Sequence, residues 1–105
     1  MPIPAEVVAK IGNNAYQSAN IPADTYDGQS TDVPTATIVN ILVTHEGVSD
    51  DLAYQMTRQM FDNLPRLVTA HAAAKDISLE NAAKNLPIPL HPGAERFYKE
   101  KGLLP

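Results

Sequence analysis

The apolar positions of this chain change period several times, and each change predicts an element. Residues 5–12, "AEVVAKIG", predict a short helix: Pro4 suits a first turn, Glu6 suits the helix dipole, and Gly12 stops it. Residues 15–21, "AYQSANI", alternate weakly and predict a short strand. Residues 21–34 read as a loop, since Pro22, Gly28 and Pro34 stand among Asp, Ser and Thr. The strongest strand pattern is "TATIVNILV", residues 35–43, rich in β-branched side chains. It is apolar on both faces, with Ile38 and Leu42 on one and Val39, Ile41 and Val43 on the other. Burial of both faces is expected of a central strand in an α/β sheet.

Helical periodicity takes over after Gly47. Residues 49–64 form the clearest helix, with Ser49 as N-cap and Asp50 and Asp51 in the first turn, where negative charge is favoured. Leu52, Met56 and Met60 recur at i, i+4 and i+8, and predict its buried stripe, extended by Ala53 and Leu64. Pro65 opens a helix over 65–75, and Ser78 caps another over 78–86. The three prolines of "PIPLHP" exclude a long helix over 87–92. A final helix is expected over 93–102, with Pro92 near its start, Glu95 and Lys99 four apart, and Gly102 as its stop.

One strong strand, one weak strand and about five helices make a helix-rich α/β segment. Two strands do not make an independently stable sheet, so the sheet is expected to be completed from elsewhere. The competing architecture is a stand-alone small helical module that binds other proteins.

Length and composition narrow the class. The chain has 105 residues, 44% of them hydrophobic, which supports at most one domain with a small core. No apolar run approaches a membrane span. The start of the chain lacks the basic and long apolar regions of a secretion signal. The net charge is −4, and the eight Lys and Arg residues are scattered. Without a basic stripe to neutralise phosphates, no nucleic-acid partner is expected. The absence of cysteine excludes disulfides, thiolate metal sites and cysteine nucleophiles.

Little in the sequence resembles catalysis. His45, His71 and His91 lie too far apart for the paired histidines of a zinc helix. His71, beside alanines, reads as a packed or capping histidine, and His91 as a cap of the last helix. An enzymatic role for His91 with Glu95 rests only on their spacing. Asp24, Asp27 and Asp32 lack the dense oxygen ligands of a calcium loop. No phosphate-binding glycine loop or nucleophile elbow is present. The chain is therefore not expected to be an enzyme, nor to need a metal or cofactor.

Three stretches together resemble a known family: "IPADTYDGQSTDVPT", "VSDDLAYQMTRQMFDNL" and "AHAAAKDISLENAAKNLPIPLHPGAERFYKEKGL". They are similar to the C-terminal end of the TAXI-type solute-binding receptors of TRAP transporters, from about Ile3 to Leu103. The first stretch departs from the family pattern I-P-A-G-T-Y-P-G-Q, with Asp24 in place of Gly and Asp27 in place of Pro. The resemblance implies a periplasmic receptor with two α/β lobes that close over a small organic anion, such as an amino acid or dicarboxylate. Membrane subunits of the transporter would take up the solute. Such receptors are much longer, so residues 1–105 read as one C-terminal segment, completed by an N-terminal lobe or by self-association. Within that picture Thr25, Tyr26, Gln29 and Thr35 could donate hydrogen bonds to a carboxylate. The alternative is that Tyr26 packs into the core and Gln29 caps the loop. Arg96 reads as a surface or interlobe ion pair.

Overall fold

The computed structural model describes residues 1–105. The protein is mixed α/β and helix-rich, 42% helical, with one two-stranded antiparallel sheet. It divides into two compact units, Met1–Ile41 and Leu42–Pro105.

In the first unit α1 (Ala5–Lys10) precedes β1 (Tyr16–Ile21) and β2 (Val33–Ile38). Pro4 sits at the N-cap of α1, and Gly12 ends the helix region at φ +68°. Gln17, Ala19 and Ile21 are partly buried, while Tyr16, Ser18 and Asn20 are exposed. That alternation is the period of a strand with one covered face. Val8 of α1 is the unit's buried residue, and α1 packs against both strands. Pro34 lies opposite Asn20, and its carbonyl accepts the Ile3 N–H at 2.8 Å. Pro34 therefore points its missing donor away from β1, where proline is tolerated in a strand.

The strand expected over 35–43 is displaced. β2 begins at Val33, within the expected loop, and ends at Ile38. The register explains both limits, because Ile21 pairs with Val33 and Tyr16 with Ile38. β2 is as long as its partner, whatever its own propensity. The two-sided burial expected of this run is also absent: Ile38, Val39, Ile41, Leu42 and Val43 are all exposed.

The second unit holds α2 (Asp50–Asp62), α3 (Leu64–Ala70), a 3-10 turn (Ala72–Asp76), α4 (Leu79–Ala82) and α5 (Pro92–Glu100). The expected caps form. The hydroxyl of Ser49 accepts from the Leu52 N–H at 3.2 Å, and that of Ser78 from the Asn81 N–H at 3.3 Å. The helix expected over 65–75 breaks at His71, whose Nδ1 accepts from the Ala73 N–H and starts the 3-10 turn. His91 caps α5. Its Nδ1 accepts from the Gly93 N–H at 3.1 Å, and its Nε2 donates to the Val48 carbonyl at 2.9 Å. Both contacts together require the neutral Nε2–H tautomer.

The core of this unit is Phe61, Phe97 and Tyr98, bordered by Tyr54, Met60, Leu64 and Leu90. The stripe expected on α2 forms only in part: Ala53 is buried and Met60 and Leu64 border the core, but Leu52 and Met56 are exposed, and Phe61 is the other buried residue. The reason lies at Gly93 of α5. A Cβ there would run into the Asp50 carbonyl oxygen and meet the Tyr54 nitrogen at 2.7 Å and the Ala53 Cβ at 2.9 Å. The backbones of α2 and α5 touch at a small-residue crossing, which turns Ala53 inward and leaves Leu52 and Met56 on the flank.

Polar groups tie the same two helices. Arg96 pairs with Asp51 at 2.9 Å and stands 4.3 Å over the Tyr54 ring, and the Tyr54 hydroxyl donates to Glu100 at 2.7 Å. These pairs are exposed and contribute little individually. The bond to Glu100 raises the Tyr54 hydroxyl above the ordinary tyrosine value, and burial raises that of Tyr98. A raised folded value means stability that is present below the unfolded tyrosine value of 10.0 and lost as pH climbs through the folded one. Urea unfolding of the second unit followed upward from pH 9 is expected to show that loss. The double variant Tyr54→Phe, Tyr98→Phe should flatten it.

Candidate functional site

The loop between β1 and β2 is built around two backbone constraints. Gln29 N–H donates to the Tyr26 carbonyl at 3.1 Å, and Gly28 lies at φ +79°. A bond from i+3 to i with left-handed backbone at i+2 defines a type II turn over residues 26–29. Asp24 is itself left-handed at φ +62°, and its N–H donates to the Gln29 carbonyl at 2.8 Å, closing the loop. Asp32 Oδ1 accepts from the Ala23 N–H at 2.8 Å.

The four residues implied as solute contacts fall into two groups. Gln29 holds the loop together: its Nε2 lies 3.2, 3.0 and 3.1 Å from the carbonyls of Ile21, Pro22 and Thr31. Three acceptors around one nitrogen fix which way the amide points. Its Oε1 is buried without a partner. Thr25 donates its hydroxyl to the Pro22 carbonyl at 2.6 Å. Thr35 sits within β2 opposite Ala19, and its hydroxyl lies 3.5 Å from the Ala36 carbonyl. Tyr26 differs from these three. It is 66% exposed, which excludes packing in the core, and its phenol makes no hydrogen bond within the chain. The loop thus presents Tyr26 outward on a frame held by Gln29 and Thr25.

The turn also explains the Gly and Pro of the I-P-A-G-T-Y-P-G-Q pattern, and makes Asp24 and Asp27 the less favourable residues at those positions. Position 27 is the second residue of a type II turn, where proline is favoured, and position 24 has the backbone that favours glycine. Restoring both, Asp24→Gly with Asp27→Pro, is expected to stabilise the first unit by about 1–2 kcal/mol, and thermal unfolding would read it as a higher midpoint.

Elsewhere the expected site chemistry is sparse. No three His, Asp or Glu side chains gather closely enough to hold a metal ion. His91 and Glu95 do not combine, because both His91 nitrogens are committed to Gly93 and Val48, and Glu95 pairs with Lys99 at 2.7 Å. The Arg96 ion pair expected on the surface is made with Asp51. No helix is long and apolar enough to cross a membrane.

The family model described as the NMT1-like family matches residues 1–102, nearly the whole chain. This chain belongs to the NMT1-like family, which is related to periplasmic binding proteins. A solute-binding function outside the cytoplasm is what that membership supports.

Proposed function

We propose that this chain is part of an extracytoplasmic solute-binding receptor of the TAXI type, serving the membrane subunits of a TRAP transporter. The observation that carries the reading is the family match over residues 1–102. The loop supports it, since it holds the backbone of residues 22–32 in one shape and leaves Tyr26 unpaired at the surface. The solute is a small organic anion, such as an amino acid or a dicarboxylate, and the chain works by binding rather than by catalysis. Tyr26 donates its hydroxyl to a solute carboxylate and lays its ring against the solute's apolar stem. Thr25 and Gln29 hold the backbone that positions it, while Thr35 stands in β2 opposite Ala19. No arginine lies in residues 21–34, so the strongest anion contact comes from outside this loop. Asp24 and Asp27 weaken the loop's attraction for an anion, which favours solutes that also carry an amino group.

The test uses a receptor of this family in which residues 1–105 replace the matching part. Tyr26→Ala should weaken glutamate or 2-oxoglutarate binding by about tenfold or more, the worth of one good hydrogen bond and a ring contact. Tyr26→Phe should recover the share due to the ring. Unchanged calorimetric affinity in both variants would remove Tyr26 from the site.

A further inference from the structure

Of the five glycines, only Gly28 follows an Asp or Asn residue. That pairing carries chemistry that solute binding does not use. The nitrogen of the next residue can close a five-membered ring on an Asp side chain, and glycine has no Cβ to obstruct it. Both reacting groups are free in this loop. The Asp27 carboxylate has no hydrogen-bond or ion-pair partner, and the Gly28 N–H donates to nothing. Both residues are exposed, and nothing lies within 4 Å of the place a Gly28 Cβ would take.

Only the backbone stands in the way of the attack. Asp27 is the second residue of the type II turn over residues 26–29, where ψ is about +120°. At that angle the Gly28 nitrogen is turned away from the Asp27 side chain. Ring closure needs the nitrogen rotated to the side-chain side, which takes the chain out of the turn. The loop resists that rotation. The Gln29 N–H holds the Tyr26 carbonyl at 3.1 Å, and the Gln29 amide lies 3.2, 3.0 and 3.1 Å from three further carbonyls. The Thr25 hydroxyl holds the Pro22 carbonyl at 2.6 Å. Reaction therefore proceeds from the open fraction of the loop, which these bonds keep small.

We propose that the Asp27–Gly28 peptide is a site of spontaneous isomerisation, at which Asp27 becomes isoaspartate at a rate set by the Gln29 clamp. The Gly28 nitrogen attacks the Cγ of the protonated carboxyl and gives up its proton. The bond from Cγ to its hydroxyl breaks, and the hydroxyl leaves with that proton as water. Water then adds back to one of the two ring carbonyls. Opening at Cγ restores Asp27. Opening at the main-chain carbonyl leaves the chain running through Cβ and Cγ. One water leaves and one returns, so the step needs no oxidant, cofactor or enzyme. The backbone between Tyr26 and Gly28 gains one carbon, the turn no longer closes, and Tyr26 loses its frame.

The test incubates the full chain in heavy-oxygen water and then digests it. Heavy oxygen is expected in the peptide that carries Asp27, together with loss of cleavage before residue 27 by an Asp-specific endoproteinase. Asp24 and Asp32, which precede Thr25 and Val33, are internal controls and should stay unlabelled. Gln29→Ala should speed the labelling by roughly fivefold or more, the factor expected from losing one loop hydrogen bond. Thr25→Val, which removes a single bond at nearly constant shape, should act in the same direction and serves if Gln29→Ala fails to fold. Asp27→Glu, which must close a larger ring, should take up no label over the same time. Labelling of Asp24 or Asp32 as fast as Asp27, or undiminished labelling in Asp27→Glu, overturns the proposal. So do rates in the two loop variants equal to that of the parent chain. A folded chain still unlabelled after a free peptide of residues 22–32 has fully converted overturns it as well.

Discussion

Gly93→Ala is expected to unfold the helical unit or cost it roughly 3 kcal/mol or more. The added methyl has nowhere to go. It would run into the Asp50 carbonyl oxygen, with the Tyr54 nitrogen 2.7 Å and the Ala53 Cβ 2.9 Å away. Two of these three neighbours are backbone, so no side chain can swing aside. The helices would have to separate, which pulls Phe97 from Phe61 and strains the Arg96 contacts to Asp51 and Tyr54. A unit of this size has only about 3–10 kcal/mol of total stability. Far-ultraviolet circular dichroism against urea would read the change as a large fall in midpoint. Gly102→Ala is the informative control. Nothing lies within 4 Å of a Cβ there, and the cost reduces to the left-handed backbone at φ +72°, about 1 kcal/mol. Equal effects at the two glycines would mean that the α2–α5 crossing is looser than described.

Phe97→Ala comes second, at about 3–5 kcal/mol. Phe97 is 1% exposed and is the one large side chain buried that completely. Its ring stacks on Phe61 at 5.6 Å and meets Tyr54 and Tyr98 edge-on at 6.0 and 5.7 Å. Removing it takes the middle from a four-ring cluster, and neighbours held on two helices cannot collapse into the space. Met56→Ala, from the stripe that the periodicity points to, should cost about 0.5 kcal/mol or less, because Met56 is 44% exposed. Denaturant midpoints for the two variants would tell the buried face of α2 from its flank. A larger loss at Met56 would reverse the assignment.

The features legible in the sequence are those set by neighbours along the chain. Ser49 and Ser78 cap helices because an N-cap needs only its own next three residues, and His91 caps α5 for the same reason. The pairing of Glu95 with Lys99 follows from helical spacing alone. What was not legible depends on residues far apart. β2 stops at Ile38 because β1 starts at Tyr16, although the β-branched pattern continues to Val43. Which face of α2 is buried depends on Gly93, some forty positions away, whose bare backbone selects Ala53 over the bulkier Leu52. In the loop, Pro22 and Gly28 announced a turn, but whether Gln29 caps it or faces a solute was left open by the sequence. Its amide is spent on three carbonyls, and no local pattern separates such a glutamine from one that faces a solute. A glutamine three residues after a tyrosine with a glycine between them is the only trace, since that spacing closes a type II turn.

The receptor assignment is tested most directly by one calorimetric titration. Glutamate, 2-oxoglutarate and related small carboxylates are added to the family receptor carrying residues 1–105, and to the 105-residue chain alone. Saturable one-to-one binding of at least one of these anions to the assembled receptor is expected, with weak or no binding to the chain by itself. Tight binding to the isolated chain, or no binding by a folded assembled receptor to any of them, would contradict it.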